Sequence, residues 1–200
     1  IVHILILNQQ DYQVQIIKSH NGVFGRETVE QIARRSNTDI AVNAGFFEIG
    51  HPVEGMPSGT LVINGKILSL GSDFSDCLII DNNKLSIQTL HINPQVILTK
   101  NVLDINKFNK FVTQNDVGVY NSLWGKSTLT DFKERKEIVV NSEYDIISIN
   151  NHGNSFIPDE CMVISLPKSY NIPDNLKKVE MRFWDNNLSL NNHLSVVMGI

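Results

Sequence analysis

The sequence predicts an α+β protein: a β-rich mixed sheet with one or two helices. Three observations carry this. Many short apolar runs are separated by Asn-, Gly- and Pro-containing turns, as in "LVINGKIL" and "LIIDNNKLSI". Only one stretch, "RETVEQIARRSN" (26–37), has a clear helical period. Strand-like runs far outnumber helical ones, and many short strands with one or two helices make an α+β domain.

In chain order, "VHILILN" and "YQVQIIK" are expected as two strands joined by the polar turn "QQD". In the helix that follows, Thr28 and Gln31 have capping-box spacing, and Val29, Ile32 and Ala33 share an apolar face. "DIAVNAGFF" (39–47) is expected to run as a buried strand into a loop of small residues. "TLVINGKILSL" is a hairpin, because Asn64 and Gly65 can both take the positive φ of a type I′ turn. "CLIIDNNKLSIQTL" repeats that pattern around Asp81, Asn82 and Asn83. "VLDINKFNKF" has helical spacing of Leu103, Phe108 and Phe111 and is expected as a short helix. "VGVYNSLWGKST" is a strand entering a loop, "EIVVNSEYDIISI" a hairpin around "NSE", and "CMVISL" and "KVEMRFW" further strands. No linker or repeat divides the chain, so residues 1–200 are taken as a single domain.

Composition narrows the function. The chain has 200 residues, 42% hydrophobic and 19% charged, enough for one core. Net charge is −4, and the densest basic patch, "KERK", contains a Glu, so nucleic-acid binding is not favoured. No apolar run reaches the ~18 residues of a membrane span. Cys77 and Cys161 each lie in an apolar strand-like run and are expected as buried thiols, with a disulfide as the alternative. No CxxC or HxxxH spacing points to zinc. Nothing in the sequence names a cofactor.

Two loops concentrate the residue types that recognise sugars and phosphates. In the first, residues 43–60, Asn43 ends a strand and Gly45 permits close backbone approach. Phe46 and Phe47 offer an apolar wall, and the amides of Ser58 and Gly59 can meet an anion. Its carboxylates are Glu48 and Glu54. In the second, "YNSLWGKST", Trp124 offers a stacking face and Lys126 a point charge for phosphate, while Asn121 and Thr128 can bond hydroxyls. For both loops the plainer alternative is local: polar groups that satisfy the loop backbone, and aromatics that plug the core.

Taken together, the segments "VHILILN", "RETVEQIARRSN", "VNAGFF", "PSGTLVINGKILS", "VYNSLWGKST" and "FIPDECMVIS", in this order, resemble the phosphodiester glycosidase family along essentially the whole chain. The resemblance implies hydrolysis of a sugar 1-phosphodiester in a glycan or glycoconjugate, by a protein exported from the cytoplasm. For that chemistry the catalytic candidates are Glu48 and Glu54, the carboxylates of the loop after "VNAGFF", with Asn43 at the strand end. Phe46, Phe47, Ser58, Gly59, Asn121, Trp124, Lys126 and Thr128 are the substrate-binding candidates. Family domains continue into a glycine-rich half with a "DGGGSS" motif, so the chain is expected to be the N-terminal part of such a domain. Two positions depart from the family: Asn109 stands where many members have Arg after Asn106, and "SLPK" follows "VI".

Glycosidases ordinarily use two carboxylates. A phosphate monoester leaves without full protonation, so one carboxylate plus donors for the phosphate can suffice. The alternatives are a non-catalytic carbohydrate-binding module and a structural fragment without a ligand. The apolar run "HLSVVMGI" is expected to pack against further polypeptide, either the rest of the domain or a second chain, because a free tail is normally polar.

Overall fold

The computed structural model describes residues 4–8, 10–20, 22–71, 73–184 and 188–198. Its elements are helix α1 (Val29–Ser36) and strands β1 (Leu61–Ile63), β2 (Lys66–Ser69), β3 (Asp73–Asp81), β4 (Lys84–Leu98), β5 (Asn101–Asp104), β6 (Lys107–Phe108), β7 (Gly118–Asn121), β8 (Arg135–Val140), β9 (Ile146–Asn150), β10 (Met162–Pro167), β11 (Glu180–Trp184) and β12 (Leu194–Met198). The strands form two sheets. The first runs β11-β4-β3-β12-β1-β2, with β5 also paired to β4. The second runs β6-β7-β10-β8-β9. All pairs are antiparallel except β6 with β7. One short helix beside two sheets is the β-rich α+β architecture that the turn signals predict.

The two sheets share one core. Val62, Ile79, Leu90 and Val196 of the first meet Val119, Ile138 and Ile164 of the second. The opposite face of the second sheet is covered as well, with Tyr120, Val139 and Val163 packed against Val23, Met56 and Trp124. Strands buried on both faces lack polar alternation. That explains the unbroken runs "IVV" in β8 and "MVIS" in β10.

The hairpins follow their turn chemistry. Asn64 (φ 49°) and Gly65 (φ 74°) turn β1 into β2, and Asn82 (φ 48°) and Asn83 (φ 62°) turn β3 into β4. Asn141 organises the β8–β9 turn by accepting the backbone N–H groups of Glu143 and Asp145. Thr28 caps α1 with the full capping box, its hydroxyl accepting from Gln31 N at 3.2 Å. Val29, Ile32 and Ala33 are only half-buried.

Three expectations need correction. Residues 4–8, 12–18 and 39–46 carry strand-like sequence, but among the described residues no ladder forms on them, and only Phe47 makes an isolated bridge, to Pro57. A strand exists through its hydrogen-bonded neighbours, so apolar pattern alone does not make one. Ile6, Val42 and Phe46 are exposed instead. The segment expected as a helix, "VLDINKFNKF", instead contains most of β5 and all of β6, joined by residues 105–106. Leu103 and Ile105 face inward with a period of two, and β5 is held by the far end of β4. The run at 194–198 is β12, seated between β3 and β1, so Leu194, Val196 and Val197 bury themselves against this chain's own sheet. Ile200 lies outside the described residues. Cys77 and Cys161 are both buried thiols, with no disulfide between them.

At one edge the sheets are joined by two side-chain amides. Asn109, fully buried, donates to Leu68 O (3.1 Å) and Asn121 Oδ1 (2.9 Å), and its own Oδ1 accepts Asn121 N (3.0 Å). Asn121 Nδ2 donates to Ile67 O at 2.8 Å. Asn109→Ala leaves buried partners unsatisfied and is expected to destabilise by about 1–3 kcal/mol. Asn109→Ala and Asn121→Ala combined should lose less than the sum of the two, because they break one network. Urea midpoints of the two single variants and the double variant check this. Gly65→Val should lower stability by more than about 1 kcal/mol. A Cβ there would meet Asn191 O at 2.5 Å in a backbone that β-branched residues resist. An unchanged melting temperature would count against this turn geometry.

Candidate functional site

The loop after "VNAGFF" folds back on itself. Phe47 bridges Pro57, Ser58 N donates to Phe46 O (3.0 Å), and Glu48 N donates to Met56 O (2.8 Å). At the tip, Gly50 takes φ 101°, and its N–H donates to Glu54 Oε2 (2.6 Å). Met56 roots the loop in the core beneath the second sheet. Gly55 lies against the backbone of Gly25, where a Cβ has no room.

This geometry divides the two carboxylates. Glu54 pairs with Arg26 and accepts Gly50 N, and its carbonyl takes Gly25 N (2.7 Å). Glu54, one of the catalytic candidates, thus also latches the loop closed. Glu48 is exposed, and its Oε1 accepts the Ser58 hydroxyl at 3.0 Å. Phe46 and Phe47 are exposed beside it in sequence, while Gly59 is buried with the Met198 side chain against it. Asn43 is exposed on the segment leading in.

A cation missed by the sequence reading enters here. Lys110 Nζ donates to Ser58 O at 3.1 Å. Burial lowers its pKa, with Lys107 adding to the effect and Glu48 opposing it. Ser58 thus touches Glu48 with its hydroxyl and Lys110 with its carbonyl. The backbone of Lys110 is pinned on both sides: by the Asn109 amide network before it, and by Tyr120 Oη, which donates to Lys110 O (3.0 Å). The helix expected over 102–111 concealed this placement. The repeated "NKFNK" was the available signal, as two lysines beside a buried strand end.

The second loop is structural. Trp124 is 3% exposed, which corrects its role as a stacking face for a ligand. Its ring packs on Phe24 (5.0 Å), Phe111 (4.9 Å) and Tyr120 (5.2 Å), and Nε1 donates to Thr128 O (3.2 Å). Asn121 belongs to the inter-sheet network. Thr128, also buried, donates to Glu137 Oε1 (2.9 Å). Both side chains are hydrogen-bonded within the protein. Lys126 is exposed, and its carbonyl accepts Ile157 N. The two loops do meet, through residues 109–111: Lys110 reaches Ser58, and Phe111 packs on Trp124. Trp124 therefore supports the site from beneath.

Two buried charges on β8 also went unseen. Glu137 accepts the hydroxyls of Thr128 and Thr130 and the N–H of Ser155. Arg135 donates to the carbonyls of Thr113, Gln114, Asp116 and Ser165 and to Ser165 Oγ. Both hold loops onto the sheet. The signal was the placement of Arg135 and Glu137 two residues apart, on the same face as Val139, at the start of a strand that ends in "IVV". A concavity of about 370 Å³ is lined by Thr113, Gln114, Asp131, Glu134 and Arg135, but those carbonyls already engage the guanidinium. Among the described residues, no cluster of His, Cys, Asp and Glu is suited to a metal, and no helix is long and apolar enough to cross a membrane.

No family model matches the chain. It is 31% identical over 180 residues to an uncharacterized protein of Rickettsia conorii. That match covers 84% of the chain and 63% of the relative, so the chain spans less than two thirds of the relative's length. Two solved structures share the fold. One is a Burkholderia pseudomallei protein described as "Putative exported protein", with TM-score 0.65, 17% identity, and coverage of 89% of this chain and 44% of that one. The other is a hypothetical protein from Synechocystis, with TM-score 0.59, 17% identity, and coverage of 82% and 31%. At this identity the likeness is one of fold alone.

The two aromatic and cationic candidates of the second loop should separate by stability. Trp124→Ala is expected to destabilise by about 3–5 kcal/mol, as for a large buried ring. Lys126→Ala should stay within about 0.5 kcal/mol of the parent. Thermal melts followed by circular dichroism check both.

Proposed function

We propose that this chain carries the substrate-facing loop of a hydrolase that cleaves sugar 1-phosphodiesters, with Glu48 as the reacting carboxylate. The observation that carries this reading is the meeting of an exposed carboxylate, a hydroxyl and an ammonium at Ser58, in the loop that follows "VNAGFF". Phe46 and Phe47, exposed on the same loop, offer apolar surface for the face of a sugar ring. The ordered set of sequence motifs supports the same class.

In this mechanism the Ser58 hydroxyl orients Glu48. The carboxylate takes a proton from a water molecule, whose oxygen bonds to the anomeric carbon. The bond from that carbon to the phosphate oxygen breaks, and the phosphate monoester leaves with the electron pair. The products are the free sugar and the monoester. Positive charge developing on the sugar ring is stabilised beside Glu48.

The second reading is a carbohydrate-binding module without turnover. It is favoured by the single free carboxylate: Glu54 is engaged by Arg26, leaving Glu48 alone in the loop. Function outside the cytoplasm belongs to this proposal too. It rests on the family resemblance and on the description of the Burkholderia neighbour.

A methyl diester of a hexose 1-phosphate tests the hydrolase. The parent protein is expected to release free sugar, and Glu48→Gln to slow that release by about 10²–10⁴-fold with an unchanged melting temperature. Sugar binding without release would establish the module instead. Equal turnover by Glu48→Gln would remove Glu48 from the mechanism.

A further inference from the structure

We propose that Lys110 is the phosphate-binding cation of this site, in the role that sequence assigns to Lys126. The inference rests on the hydrolase reading for its substrate class. The geometry is independent of that reading.

An ammonium has three N–H donors. In Lys110 one goes to Ser58 O, which leaves donors for an anion. Side chains that bind a charged ligand work best when they are already held in place. The backbone of Lys110 is fixed by its neighbour Asn109, in the inter-sheet network, and by the hydroxyl of buried Tyr120. Lys126 has no comparable anchor: it is exposed, and only its backbone is tied down.

Charge placement gives the second reason. Lys110 and Glu48 interact through space and through Ser58, and among the described residues no ion pair closes between them. A cation and an anion held apart across one serine match the polarity of glycosyl phosphate cleavage. Negative charge grows on the leaving phosphate and positive charge on the sugar ring. Lys110 suits the first and Glu48 the second. The charged groups acting on Lys110 are Lys107, on β6, and Glu48, on the loop. Burial and Lys107 both disfavour its charged form, so an arriving phosphate gains a partner that the free site leaves incompletely compensated.

Inorganic phosphate is the probe, titrated by calorimetry into the parent protein, Lys110→Gln, Lys110→Arg and Lys126→Gln, each first shown to be folded by circular dichroism. Lys110→Gln is expected to weaken binding about tenfold or more, with Lys110→Arg and Lys126→Gln near the parent. The ratio of parent to Lys110→Arg affinity cancels the ionisation of phosphate itself. That ratio should fall as pH rises toward the ordinary lysine range, because Lys110 loses its proton early and arginine does not. Undiminished binding by Lys110→Gln, loss confined to Lys126→Gln, or no phosphate binding by the parent would each overturn the assignment. Phosphate binding through Lys110 without diester turnover would overturn the hydrolase and keep the cation. Turnover that is indifferent to Lys110→Gln would do the reverse.

Discussion

Two asparagine side chains, Asn109 and Asn121, bear on nearly every feature of the candidate site. They join the end of β6 and the end of β7 to the edge strand β2, and so fix where the second sheet meets the first. Buried amides are costly unless every donor and acceptor is used. Here each Nδ2 and Oδ1 has a protein partner, and Asn121 Oδ1 also takes Leu123 N (3.1 Å). Such a network tolerates one arrangement and penalises small slips. The residues on either side inherit that precision: Lys110 and Phe111 after the first asparagine, and Leu123 and Trp124 after the second.

The same economy recurs on β8. A buried guanidinium and a buried carboxylate sit on one strand face, and each is hydrogen-bonded by several neutral protein groups, most of them in loops. Removing either would leave its loop partners buried without a hydrogen bond, at a cost of about 1–3 kcal/mol for each such group. These residues thus hold the loops 113–116, 128–130 and 153–155 in register with the sheet. In the first loop of the site, Arg26 and Glu54 do a similar task nearer to water, where screening weakens the pair.

Much of this fold was legible because the signals were local. Asn64-Gly65 and Asn82-Asn83 take positive φ whatever surrounds them, and Thr28 and Gln31 cap a helix from three residues apart. The apolar runs "IVV" and "MVIS" marked two of the strands, though not that both of their faces are covered. The failures were of two kinds. "VHILILN" and "DIAVNAGFF" have strand composition, but pairing is a long-range property that composition does not encode. "NKFNKF" fits a helical spacing and an extended one equally well, and pairing of β6 with β7 decided between them. The site shows the same division. Glu48 and Ser58 were visible as loop residues, whereas Lys110 became visible only once β6 delivered it. Trp124 looked like a ligand platform because an aromatic in a loop is ambiguous until its neighbours are known; Phe24, Phe111 and Tyr120 make it core.

The seat of β12 between β3 and β1 has a kinetic side. The β3–β4 hairpin can zip from its own turn, but β1 gains its inner neighbour from far along the chain, as the bond from Asn64 N to Ser195 Oγ, 131 residues apart, makes plain. Closing so long a loop adds little to the equilibrium cost, since each doubling of length adds only about 0.6 kcal/mol. It does slow the search. During synthesis the β1–β2 hairpin must therefore wait, with one edge open, until β12 has emerged. In that interval the open edge of the hairpin is free to pair with a strand of another chain.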